Sequence, residues 1–292
     1  MLKDKIEVFW SKNYKLLMFI PIIILVISLI LVGTRFAKTG DLFNKDVTLK
    51  GGIAATIYTD KPLTEEEIKS ALGVESTIKK IGDLTSGKQL GFVIEVSDLT
   101  EEQLKSTLSE KLNLELKQEN FSLEITTPKL SQSFYKQLMI ALIFAFILMG
   151  LSVFITFRTL APSLAVISAA VMDIGITLAF VNLLGMNIST AGIVAFLLVI
   201  GYSVDTDILL TNYSIRKREG RLFDRMFHSM KTGLTMTACA AAVMITGLII
   251  SNSIVIREMF IIILTALIVD IFSTYLTNAG ILWIYCKKKQ IT

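Results

Sequence analysis

Gly201-Tyr-Ser-Val-Asp205-Thr-Asp207-Ile-Leu-Leu210 sets two carboxylates near the inner end of an apolar run that begins around Ser189. A run of that length can cross a bilayer, and an ionised side chain inside it is costly. Such a side chain persists where it faces a bundle interior, finds a partner or carries a proton. Two aspartates resting among headgroups would be the plainer explanation, but further apolar residues follow Asp207 before Arg216. The stretch therefore reads as a transmembrane helix that handles charge. Asp205 and Asp207 are two positions apart, so on a helix they point to nearly opposite sides and only one can face a given partner helix.

Composition extends this reading to the whole chain. Hydrophobic residues make up 53% of 292, and the mean hydropathy of +0.64 lies above that of soluble globular chains. Windows of about 20 apolar residues fall at 16–36, 138–157, 163–184, 189–210, 232–250 and 259–285. The expected fold class is a polytopic α-helical membrane protein with six transmembrane helices. The first window follows Lys3, Lys5, Lys12 and Lys15 as a secretory signal would. Its apolar core is too long for one, and no small-residue cleavage site follows Gly33, so it reads as an uncleaved span.

Cations give the expected orientation. They crowd the N-terminus, the turn at Arg158, the loop from Arg216 through Lys217, Arg218, Arg221 and Arg225 to Lys231, and the tail Lys287, Lys288 and Lys289. The positive-inside rule then puts both termini in the cytoplasm and the turns at 182–188 and 251–258 outside. A net charge of +4 reflects these loops. No soluble basic domain exists, so nucleic acid is not an expected partner. Cys239 and Cys286 lie in or beside spans without ligand spacing and read as small apolar residues. His228, in the basic loop, reads as solvated. No metal or cofactor is expected, and no catalytic constellation marks an enzyme.

Four segments follow: the cytoplasmic N-terminus with the first span (1–37), an extracytoplasmic domain (38–132), spans two to six (133–286) and a basic cytoplasmic tail (287–292). Within the domain, 52–59 is β-like, Thr64 and Glu67 form a capping box opening a helix to Leu72, and 76–81 alternates as a strand. The unit then repeats with a strand at 90–96, a capping box at Thr100 and Gln103 opening a helix to about Leu112, and a strand at 121–126. This β-α-β-β-α-β order is the split arrangement of α+β ferredoxin-like folds. Asp46, Asp60, Asp83 and Asp98 fall at expected turns, where side chain–backbone bonding explains them. Gly51 and Gly52 suggest a close backbone approach or a bend, since no phosphate-binding fingerprint follows.

Further candidates lie in the apolar windows. Asp173 falls near the middle of the third and Asp270 near the middle of the sixth, both on the order of 15–20 Å above the inner surface, with Asp205 at about 10 Å. Carboxylates at such depths suit proton or ion handling, with structural hydrogen bonding between helices as the alternative. Lys231 opens the fifth window and can snorkel to headgroups or reach Asp205. Gly233, Ala238, Ala240 and Gly247 give that window a close-packing surface, with Thr232, Thr235 and Thr237 as hydrogen bonders.

In Ile200-Gly-Tyr-Ser-Val-Asp-Thr-Asp207, Met172-Asp-Ile-Gly-Ile-Thr177, the Lys231-Thr232-x-x-Thr235 opening and Leu49-Lys-Gly-Gly52, the chain resembles the SecF family of protein-export membrane subunits in its archaeal form. The resemblance covers almost the whole chain and includes the layout of half a resistance-nodulation-division (RND) transporter. It implies a multi-pass protein among cell-membrane lipids, a SecD-like membrane partner, the Sec translocon, a translocating polypeptide and coupling to the proton-motive force. Bacterial members generally read Gly-Tyr-Ser-x-Asn-Asp-Thr, which would put their aspartate on Thr206. SecD and other RND members carry an acidic residue four positions after the glycine, at Asp205. The resemblance thus favours Asp205 as main proton carrier, with Asp207 and Asp173 beside it, Lys231 in place of a bacterial arginine, and Asp270, Thr206 and Thr235 as secondary candidates. Gly51, Gly52, Gly201, Tyr202 and Ser203 carry the motif. A half-size RND exporter of lipids or small molecules and a non-transporting scaffold are the rival readings.

Overall fold

A computed structural model of the chain describes residues 2–82, 89–117, 119–217, 219–251 and 253–291. Asp83 and Arg218, named above, fall outside them. Apolar runs leave backbone polar groups no partner but each other in a bilayer, so they coil. The first, α1 (Leu2–Thr39), leads into β1 (Asn44–Lys45) and the single turn α2 (Val47–Lys50). Then come β2 (Gly52–Tyr58), α3 (Glu65–Leu72), β3 (Ser76–Gly82), β4 (Gln89–Val96), α4 (Glu101–Ser106) with a π-helical turn at Thr107–Lys111, and β5 (Phe121–Thr126). The chain returns through α5 (Pro128–Phe157), α6 (Leu160–Leu183), β6 (Asn187–Ile188), α7 (Thr190–Ile215) and α8 (Leu222–Ile250). It ends in α9 (Ile254–Phe272), a π-helical turn (Ser273–Asn278) and α10 (Ala279–Lys288), which run on without a break.

Both capping boxes form. The Thr64 hydroxyl accepts from the backbone N–H of Glu67 while the Glu67 carboxylate accepts from that of Thr64, and Thr100 and Gln103 repeat the exchange. Strands β3, β4, β2 and β5 lie in that order, each antiparallel to its neighbour. Alternation sends Ile53, Ala55 and Ile57 of β2 and Phe92 and Ile94 of β4 into a core closed by Ile68 and Leu72 of α3 and Leu104 of α4. Where β2 begins, Gly51 holds φ at +90° and a Cβ there would stand 2.5 Å from Cα of Pro128. The first turn of α5 thus packs on the backbone entering the sheet.

The sheet is joined to the helical bundle by charge as well as by chain. Lys79 on β3 puts its ammonium 2.8 Å from Glu95 on β4 and 2.8 Å from Glu258 on α9, with Asp46 at 4.0 Å. Asp46 accepts from the backbone N–H of Thr48 as the N-cap of α2. Burial works against the Lys79 charge, but attraction to Glu95 and Glu258 outweighs it and raises its pKa. Burial, then the charge of Asp46, raises that of Glu95 against the pull of Lys79. Nearby, β1 and β6 pair in parallel, and Arg257 donates to the carbonyl of Gly82 at 2.9 Å.

Among the described residues, five helices are long and apolar enough to cross a membrane: α1, α5, α6, α7 and α8. Half or more of the apolar stretch is buried in α6 (50%) and α7 (56%), against 6% in α5 and 11% in α8. The centre of the bundle is therefore α6 and α7, packed with α9 through Val199, Ile262, Ile263 and Ala266. The sixth apolar window of the sequence spans α9, the π-helical turn and α10. The N-terminus, the α7–α8 loop and the C-terminus gather at one end: Arg221 pairs with Glu7 at 3.0 Å, and Arg225 donates to carbonyls of Ser214 and Ile291.

Candidate functional site

Ser189 caps α7 by accepting from Gly192 N–H at 3.2 Å, and the helix then crosses the bundle between α6 and α9. Its helical period turns Asp207 inward, fully buried, and leaves Asp205 exposed. Asp173 on α6 and Asp270 on α9 are buried too. The three buried carboxyls are held by hydroxyls and one amide. Asp173 accepts from Ser273 at 2.5 Å and from Ser203. The Thr206 hydroxyl lies 3.1 Å from both oxygens of Asp270. Asp207 accepts at Oδ1 from the Asn278 amide at 2.6 Å and from Thr274 at 2.9 Å. Thr274 also lies 3.1 Å from Oδ1 of Asp270. Buried Oδ2 of Asp207 has no hydrogen-bond partner among the described residues. Among the described residues, no cation bears on these carboxyls; the groups that do are one another and neutral donors.

Residues of the sequence motif divide. Gly201, Tyr202, Ser203, Asp205 and Asp270 line a cavity of about 460 Å³ between α7, α8 and α9. Ser203 belongs both to that wall and to the carboxyl cluster. Lys231 is exposed on α8, its ammonium 5.1 Å from the centre of the Phe227 ring, and forms no ion pair with Asp205. Thr235 is exposed and donates back to the carbonyl of Lys231 at 2.9 Å. Gly51 and Gly52 belong to the junction of sheet and α5 rather than to the cluster.

Four hydrogen-bond donors to the carboxyls escaped the sequence reading: Ser273, Thr274 and Asn278, and Ser203 as a carboxyl ligand. A signal was present. After Asp270, polar residues recur at 273, 274, 277 and 278 in an otherwise apolar run, the spacing of one helix face. The π-helical turn that carries them widens the coil there, a distortion frequent at functional sites.

A bundle of long apolar helices with three carboxyls buried at its centre and a small sheet domain joined to its end defines the class, a polytopic membrane protein with an acidic core. Residues 105–288 match the family described as protein export membrane protein SecD/SecF, C-terminal. Protein-export membrane protein SecF of Methanothermobacter thermautotrophicus is 34% identical over 96% of this chain and 95% of its own. That of Methanocaldococcus jannaschii is 32% identical over 94% and 96%. A crystal structure of SecDF, a translocon-associated membrane protein from Thermus thermophilus, superposes with a TM-score of 0.74 at 20% identity. It is matched over 96% of this chain but 38% of its own, so the chain spans about two fifths of that longer protein. The chain belongs to the SecD/SecF family of protein-export membrane proteins, on the SecF side.

Proposed function

We propose that the chain works beside a SecD-like membrane subunit at the Sec translocon and uses the proton-motive force to promote polypeptide translocation. The observation that carries this is the cluster of Asp173, Asp207 and Asp270, buried together with no cation among the described residues to balance them. Three uncompensated charges in hydrocarbon are prohibitive, so the cluster holds protons when at rest and changes charge when it releases them. Asp205, open to the cavity, takes up protons for the buried three. Each charge crossing the membrane potential is worth about 2.3 kcal/mol per 100 mV, a drive for movement of the attached domain.

The partner is inferred from what remains uncovered. Asp205 and Lys231 are exposed on helices that otherwise suit lipid, and most of the apolar stretch of α5 and α8 is unburied. A second membrane subunit over α7 and α8 removes that cost. The proposed architecture has α9 through α10 as a sixth span, both termini cytoplasmic in the cell membrane, and a ferredoxin-like domain outside, supported by the β3-β4-β2-β5 strand order.

Vesicles carrying the chain, its SecD-like partner and the translocon test this reading. Asp207→Asn keeps shape but cannot ionise, so gradient-stimulated export should be lost while assembly persists. Undiminished stimulation in Asp207→Asn, Asp270→Asn and Asp205→Asn alike would refute proton coupling.

A further inference from the structure

Asp207 is cut off from the cavity. It is fully buried and absent from the cavity wall, whereas Asp270 forms part of that wall. Its hydrogen-bond partners are the Asn278 amide, which does not pass protons on, and the Thr274 hydroxyl. Among the described residues, Thr274 alone bonds both Asp207 and Asp270, with Oγ1 at 2.9 Å from Oδ1 of the first and 3.1 Å from Oδ1 of the second. A hydroxyl has one proton to donate and lone pairs to accept with. Between two carboxylates one of these contacts goes unmade; between a carboxylate and a carboxylic acid both are made, because the acid donates to Oγ1 and Oγ1 donates onward. The geometry therefore fits a site that holds one proton between two acids.

We propose that Thr274, held in the π-helical turn, is the relay through which a proton moves between Asp270 at the cavity and Asp207 in the interior. This rests on the proton-coupling reading above. In the inward step the O–H bond of the Asp270 acid breaks as one forms at Oγ1 of Thr274. The original hydroxyl bond breaks in concert, and that proton bonds to Oδ1 of Asp207. Asp270 is left as a carboxylate, Asp207 as an acid, and Thr274 as the hydroxyl it was. Asn278 fixes the Asp207 carboxyl for this transfer. Reversal of the same steps returns the proton.

The test uses the full chain with its SecD-like partner in proteoliposomes and reads gradient-driven proton flux. Thr274→Val keeps the shape without the hydroxyl and should slow flux by roughly 100-fold. Thr274→Ser restores the hydroxyl and should restore flux. Thr277→Val removes another hydroxyl of the same turn, one bonded to the Met18 carbonyl outside the cluster, and should leave flux intact. Infrared difference spectra should show hydrogen–deuterium exchange of the Asp207 carboxyl slowed in Thr274→Val alone. Should that variant fail to assemble, Thr274→Ala set against Thr274→Ser gives the same comparison. Flux in Thr274→Val equal to that in Thr277→Val, or a serine variant as slow as the valine, overturns the relay. An active Asp207→Asn, or an inactive one beside an active Thr274→Val, defeats the relay alone; proton coupling falls with it only if Asp270→Asn and Asp205→Asn are active too.

Discussion

Gly51 and Gly40 both sit at positive φ, +90° and +74°, but only Gly51 has backbone pressed against it. Alanine at either position meets the strain of that conformation, about 1 kcal/mol. At Gly51 the added Cβ also collides with Cα of Pro128, and backbone cannot step aside as a flexible side chain can. Gly51→Ala should lower stability by about 2–3 kcal/mol and Gly40→Ala by much less, read as melting in detergent. Equal losses would mean that the approach of α5 to the sheet is not tight. The paired glycines stood out in the sequence because little else accounts for two together before a strand. The same residue-level reading separated Asp205 from Asp207 by helical period, but could not say which faced inward, since both flanks of that helix are apolar.

Among the elements, α9 and β3 meet through Lys79. Lys79→Met leaves Asp46, Glu95 and Glu258 close together without their cation, and breaking a buried pair in this way costs about 3 kcal/mol or more. Its folded-state pKa lies above the ordinary 10.5, so its contribution is whole below that pH and disappears as the pH climbs through the raised value. Glu95, raised above 4.5, acts in the same sense in a lower pH window, favouring the fold while protonated and less so once ionised. Melting curves of wild type minus Lys79→Met should shrink above about pH 10.5; a difference independent of alkaline pH would remove Lys79 from the junction. The strands and capping boxes flanking this cluster were legible, because alternation and Thr-x-x-Glu or Thr-x-x-Gln spacings are local signals. The cluster was not. Asp46, Lys79, Glu95 and Glu258 lie on four separate segments, and no periodicity within one of them announces the others. The π-helical turn hid for a related reason, since a single widened coil leaves the apolar run around it unchanged.

For the whole molecule, the ends of the chain, the α7–α8 loop and the sheet domain sort to opposite ends of the bundle. If the cationic end is cytoplasmic, a cysteine in place of Asp60 should react with an impermeant reagent from outside only, and one in place of Arg221 from inside only. The reverse pattern would invert the proposed orientation and the direction of proton entry with it.

Glu258 and Asp270 stand twelve residues apart on α9, about 18 Å along its axis. One is clamped by the sheet domain and the other sits among the carboxyls at the middle of the bundle. The rod between them is unbroken helix, stiff in the direction of its length. A displacement at the deep end therefore arrives at the clamp as a thrust of similar size, with no hinge in between to absorb it. Under the proposed function, a shift that proton release imposes on the acid cluster would reach the sheet domain along α9 as along a piston.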